Sequence, residues 1–213
     1  MENNRYPFIN LPLPYSYHAM EPFIDEKTMR LHHDRHLQAY IDQLNQILRE
    51  NPSLQTLTLE QMICQLPNLP ENLRTPVRNN AGGVYNHRFF FEGLVNPGKR
   101  CRYGELKKEI ENSFSSVQVF EAELTRAALS VFGSGYAWLV YDRKGSRLRV
   151  VTTPNQNNPM EQELCPILTV DVWEHAYYLK HYNKRAGYIR DWMNVLNWES
   201  AKQHYQDCLQ NWR

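Results

Sequence analysis

Tyr136-Ala-Trp-Leu-Val-Tyr141 and Arg147-Leu-Arg-Val-Val-Thr152, separated by Asp142-Arg-Lys-Gly-Ser146, decide the fold class. Two short runs of aromatic and branched residues around a glycine-bearing turn read as an antiparallel hairpin. The apolar run Ile167 to Trp173 supplies a third strand, for a small three-stranded antiparallel sheet. Everything before Tyr136 reads differently. A helical pattern opens at Asp25 and Thr28 and runs to Glu50, where Asn51-Pro52 stops it. A short helix spans Leu59 to Leu66, and after Pro67 to Pro70 a second long helix reaches Leu94. Glu105 to Phe114 and Gln118 to Phe132 are helical, and the C-terminus is helical in at least two pieces. Helices first and a small sheet with helices second make an α+β protein. The order implies an N-terminal antiparallel helical hairpin, residues 1–98, and a C-terminal α/β domain, residues 99–213. The turn residues and basic cluster of Asn96 to Gly104 mark the boundary.

Charge and composition narrow the function. The 24 Lys and Arg against 23 Asp and Glu leave a net charge of +1, so no basic field exists to hold a nucleic acid or an anionic membrane. The longest uncharged stretch, Ala127 to Tyr141, is shorter than the ~20 apolar residues of a membrane helix. The first residues, MENNRYPFINLPLPYSY, lack the basic start and apolar core of a signal peptide, which points to the cytoplasm. Cys64, Cys101, Cys165 and Cys208 are isolated in sequence and read as buried free thiols in a reducing compartment.

Three segments break the local rules. Steps of four from His32 give His32, His36, Tyr40, Leu44 and Leu48, a row ending in leucines, which buries two histidines and turns His33 to the surface. Such histidines are either hydrogen-bonded core residues or ligands. Gly82 and Gly83 stand inside the second long helix, each costing ~1 kcal/mol relative to alanine. Either a turn splits that helix, or Gly83 makes room for a group approaching what His87 holds. Finally, Ile167-Leu-Thr-Val-Asp-Val-Trp-Glu-His175 carries Asp171 at the end of an apolar run, a costly position unless the carboxylate pairs with an arginine or coordinates a metal. Jointly His32, His87, Asp171 and His175 suit iron, manganese or zinc and argue against cuprous copper and iron–sulfur clusters.

The chain resembles the iron/manganese superoxide dismutase family over nearly its whole length. Asp171-Val-Trp-Glu-His-Ala-Tyr-Tyr-Leu179 is similar to the family signature. Leu13-Pro-Tyr, the His32-His33-x-x-His36-x-x-x-Tyr40 spacing, Asn79-Asn-Ala-Gly-Gly, Asn86-His87, Phe132-Gly-Ser-Gly, Asn155-Gln156 and Trp192-x-Asn194-x-x-Asn197-Trp198 follow in family order. The resemblance implies one metal ion per subunit, held by His32, His87, Asp171 and His175 with a solvent molecule as fifth ligand. It places His36 and Tyr40 in a substrate funnel, Gln156 on the bound solvent, and Arg185 near the funnel mouth. It further implies a homodimer, or a tetramer, in which Glu174 reaches the ligand histidine of a second subunit and Tyr178 reaches its funnel. Glycine at 83 with Gln156 is the manganese arrangement, iron or dual use remaining open, and the expected reaction is disproportionation of superoxide to oxygen and hydrogen peroxide. In this reading the absent side chain of Gly83 leaves space for Gln156, and Trp138 and Trp173 wall the funnel.

Phe91 and Tyr136 stand where the family usually has tryptophan around the metal, and Leu37 replaces a common second histidine after His36. Two other readings compete. A metal-dependent hydrolase or oxygenase would need an organic-substrate pocket and a general base that the sequence does not show. A non-catalytic descendant would keep the fold as a metal-binding structural protein.

Overall fold

A computed structural model describes residues 2–99, 103–104 and 106–210. Asp25 caps the first helix, accepting from the Thr28 backbone N–H at 2.9 Å and its hydroxyl at 2.6 Å. Helix α1 (Glu26–Leu31) runs into a π-helical turn, His32–Leu37, and on without a break into α2 (Gln38–Glu50). α3 (Leu59–Cys64) starts at a capping box between Thr58 and Gln61. α4 (Glu71–Glu92) then returns along α2, and the two long helices form the hairpin.

The π turn alters the expected histidine row. Its wider winding spends an extra residue, so the step of four no longer returns to one face. Leu44 and Leu48 are fully buried as expected, but His33 is 4 % exposed and His36 lies on the surface. His33 is no surface residue: its Nε2 meets the Leu11 carbonyl at 3.0 Å, and Nδ1 meets Tyr17 Oη and Asp34 Oδ1. The glycines do not split α4, which is continuous through both of them.

Beyond the hairpin come α5 (Leu106–Phe114) and α6 (Val117–Ser130), the latter capped by Ser116. Then follow β1 (Gly135–Asp142), β2 (Arg147–Pro154) and β3 (Cys165–Asp171). The sheet order is β2-β1-β3, antiparallel throughout. Asp142 closes the hairpin turn by accepting from the Gly145 N–H and from Arg149. α5 and α6 pack on β2, α6 also on β1, while α4 and α9 (Trp198–Gln210) pack on β3. α7 (Tyr178–His181) and α8 (Arg185–Trp192) complete the C-terminal part. The central strand β1 is buried from Gly135 to Val140, so the sheet is the core on which the site stands. Backbone bonds from Val95 N to Val195 O and from Asn197 N to Gly93 O tie the end of α4 to the C-terminal helices.

The cysteines depart from expectation. α9 lies along β3 and brings the Cα atoms of Cys165 and Cys208 to 5.8 Å, where the sulfurs are bonded. A separation of 43 residues carries no trace of that pairing in the sequence. Cys64 is exposed rather than buried. Arg100, Cys101 and Arg102 of the basic cluster, Glu105 at the expected helix start, and Trp212 lie outside the described residues.

Candidate metal centre

Four side chains converge where the hairpin meets the sheet. His32 comes from the π turn, His87 from α4, Asp171 from the end of β3, and His175 from the helical turn that follows it. His32, His87 and Asp171 are at most 1 % exposed, and the His175 side chain is 11 % exposed. Each offers one ligand atom, and the four atoms lie within 4.8 Å of one another.

The hydrogen bonds fix which atoms face inward. His87 Nδ1 lies 2.7 Å from the Gly83 carbonyl, so that nitrogen carries the proton and Nε2 carries the lone pair. Asp171 Oδ1 accepts from the Trp173 backbone N–H at 2.8 Å, which leaves Oδ2. Nε2 of His32, His87 and His175 and Oδ2 of Asp171 are all buried without a hydrogen-bond partner. Buried polar atoms are costly without partners, and four such atoms around one point fit a cation.

Protonation supports the same arrangement. Burial lowers the pKa of His32 to about 4 and takes His87 well below its ordinary value, so both are neutral imidazoles with free lone pairs. Burial alone would raise Asp171, but His175 and then His32 outweigh it and hold the carboxyl well below the usual range. The Asp171 carboxylate faces His32 at 3.3 Å and His175 at 3.4 Å; an arginine partner, the plain alternative, is not what it meets among the described residues.

Around this centre, Gln156 is 2 % exposed. Its Nε2 donates to Tyr40 Oη at 3.1 Å, and its Oε1 accepts from Asn86 Nδ2 at 3.2 Å. Asn158 in turn donates to Asn86 Oδ1 at 2.8 Å. The sequence reading gave Asn86 and Asn158 no role; Asn86, directly before His87, was the available signal. The glycines divide the work differently from expectation. A Cβ on Gly83 would come 2.4 Å from the Tyr40 ring, whereas a Cβ on Gly82 would come 2.2 Å from the Gln156 carbonyl oxygen. Gly83 therefore makes room for Tyr40, and Gly82 lets the Gln156 backbone approach.

His36 is surface-exposed yet stacks on His175, with ring centroids 4.1 Å apart. Burial on its inner side lowers its pKa. Trp173 lies 5.5 Å from the His175 ring, but Trp138 stands further back, against Tyr136 and Phe89 and bonded to Thr153. Phe91 packs on both His32 and His33. Arg185 donates to the carbonyls of Val131 and Gly133 and to Tyr177 Oη, which holds the bend before β1. Glu174 is exposed, Tyr178 is 47 % exposed, and Phe132 is wholly exposed.

A helical hairpin and a small antiparallel sheet meeting at three histidines and one aspartate define a two-part metalloprotein, and comparison with known proteins agrees. Residues 7–95 match the family model of iron/manganese superoxide dismutases, alpha-hairpin domain, and residues 102–204 match that of the C-terminal domain. The chain is similar to a protein named superoxide dismutase [Mn] from Thermus thermophilus, 46 % identical over 94 % of this chain and 98 % of that one. Superoxide dismutase [Mn] 1 of Leptolyngbya boryana is 44 % identical over 91 % of this chain and 79 % of its own. Superoxide dismutase [Mn] of Escherichia coli K12 is 46 % identical over 89 % and 93 %. The chain belongs to the iron/manganese superoxide dismutase family.

Proposed function

We propose that this chain is a superoxide dismutase that converts two superoxide anions and two protons into oxygen and hydrogen peroxide. The observation that carries it is the set of four unpartnered ligand atoms within 4.8 Å of one another, next to the Gln156–Tyr40 pair. His32, His87, Asp171 and His175 hold one ion. Three neutral imidazoles and one carboxylate contribute −1, so a divalent ion leaves the centre at +1, a local attraction for a small anion. An ion bound by these four residues would supply one-electron redox chemistry. Gln156 donates one amide hydrogen bond to Tyr40 Oη, which leaves the phenol O–H free to pass protons inward, and His36 stands at the entrance. Manganese is favoured by the glycine at 83 with Gln156 inside the site, and by the names of the relatives.

The working unit is a homodimer, with Glu174, Tyr178 and Phe132 in its interface and Arg185 bracing the bend that carries Phe132. The hairpin, residues 1–98, and the remainder, 99–213, are its two domains. A cytoplasmic location sits poorly with the Cys165–Cys208 bond, because disulfides are rare in the cytosol, and trapping thiols in rapidly alkylated cells tests it: free thiols are the result expected there. Finding them bonded places the protein in an oxidising compartment.

Purified protein assayed for superoxide removal, with elemental analysis for manganese, iron and zinc, tests the main reading. The expected result is activity that rises with manganese content towards one ion per chain. Zinc alone and no activity would mark a non-catalytic family descendant.

A further inference from the structure

Tyr136 carries a hydroxyl that the site so far described does not use. It is fully buried, and its oxygen has no aligned hydrogen-bond partner. A buried phenol ordinarily finds a partner, because an unpaired hydroxyl costs about 1–3 kcal/mol. The strand register says where to look. Tyr136 is the cross-strand neighbour of Asp171 on β3, so the two side chains leave the same face of the sheet side by side. On its other flank Tyr136 pairs with Thr153 of β2, three residues before Gln156. Trp138, the next residue on that face, is already committed to Thr153 Oγ1. Asp171 Oδ2 has a second lone pair besides the one turned to the ion site, and the Gln156 amide has a second N–H besides the one hydrogen-bonded to Tyr40.

We propose that the Tyr136 hydroxyl bridges Gln156 and Asp171, accepting the second amide N–H of Gln156 and donating its own O–H to the Asp171 carboxylate. A phenol accepts on its oxygen and donates its O–H at once, so it can close this bridge from both sides. Tyr136 is thus a positioning residue. It ties the amide that orients the Tyr40 hydroxyl to the carboxylate that holds the ion, so that neither rotates independently. The inference rests on the proposed dismutase reading for its purpose, though its geometry stands on the strand register.

The test uses the full chain loaded with diamagnetic zinc and labelled with nitrogen-15 at glutamine. Wild-type protein is expected to show a slowly exchanging phenolic proton, shifted downfield, with a cross-peak to the Gln156 side-chain amide. In Tyr136→Phe that proton disappears and the Gln156 amide proton moves upfield, while the other glutamines stay in place. A Gln156 resonance unmoved by Tyr136→Phe overturns the bridge. Should the variant fail to fold, the wild-type protein decides alone: no protected phenolic proton near Gln156 overturns the proposal equally. Neither readout depends on superoxide removal, so an inactive wild-type protein with the cross-peak present would fail the dismutase reading and leave the bridge standing.

Discussion

Two hollows flank the Phe91 ring, and they are built on opposite principles. On one side His32, His87, Asp171 and His175 crowd four unpartnered polar atoms into a space that a single ion fills. On the other, a cavity of about 310 Å³ opens among Asn10, Leu11, Leu13, His33, Leu37 and Phe91. In the second the histidine is satisfied, His33 meeting the Leu11 carbonyl on one nitrogen and Tyr17 and Asp34 on the other, and Asn10 Oδ1 is a single unpartnered lining atom with no others beside it among the described residues. Convergence of unpartnered lone pairs on one point separates a site from a packing hollow.

The strongest way to break the comparison is to remove one inward-facing charge. Asp171→Asn keeps the volume but takes away the −1 that the three neutral imidazoles lack, and an amide nitrogen would point where a lone pair is needed. Outer residues of metal sites already cost about 10- to 100-fold when mutated, so loss of this ligand should lower superoxide removal by at least about 100-fold. Metal content by elemental analysis should fall with it. Full metal retention and near-normal turnover would remove the carboxylate from the ligand set.

Acid should act on the polar hollow through its buried neutral histidines. In metal-free protein His32 titrates at about 4 because it is buried, against about 6.5 when unfolded, and burial also takes His87 well below its ordinary value. Between those values the unfolded chain binds more protons than the folded one, so stability is full above pH 6.5 and declines as pH falls towards 4. His32 alone accounts for about 3 kcal/mol of that loss. The lowered pKa of Asp171 carries the same sign below pH 3.8. Urea midpoints of the metal-free protein at pH 7, 5.5 and 4.5 measure the decline, and a flat series would mean that the histidines are not buried neutral.

Gly83→Ala sharpens the comparison from the hairpin side. Its Cβ would stand 2.4 Å from the Tyr40 ring, so the ring must swing and its bond to Gln156 must break or lengthen. Overpacking of this kind costs about 1–3 kcal/mol. Misplacing the Tyr40 hydroxyl should lower turnover about tenfold with metal content unchanged. Unaltered turnover would take Tyr40 out of the proton path.

Much of this was legible because different signals agreed. The hairpin sequence around Asp142, the helix start at Asp25, and the cost of a carboxylate at Asp171 each found their element or partner. Residues that depend on a long-range coincidence were not legible. The π turn that buries His33 and exposes His36 is an insertion of winding, and no residue type signals it. The Cys165–Cys208 bond exists because α9 happens to lie on β3. The assignment of Gly83 to Gln156 failed for a related reason: helix spacing shows that a gap exists, but tertiary packing chooses Tyr40 to fill it.

The smallest effect belongs to the apolar hollow. Phe91 packs on His32 at 5.0 Å and on His33 at 5.5 Å, and it also lines the cavity. Phe91→Trp would extend the ring into that space without touching the four ligand atoms. Filled cavity volume returns about 24 cal/mol per Å³, so the added ring should stabilise the protein by about 1 kcal/mol. For a chain of this length that raises the melting temperature by about 2–4 °C. Turnover should stay within about twofold, because the inward-facing nitrogens and carboxylate oxygen are unchanged. A lower melting temperature would show that His33 and the Leu11 to Leu13 segment hold the cavity rigidly against a larger ring. Loss of metal would go further, showing that the two hollows share one wall that cannot move on one side alone.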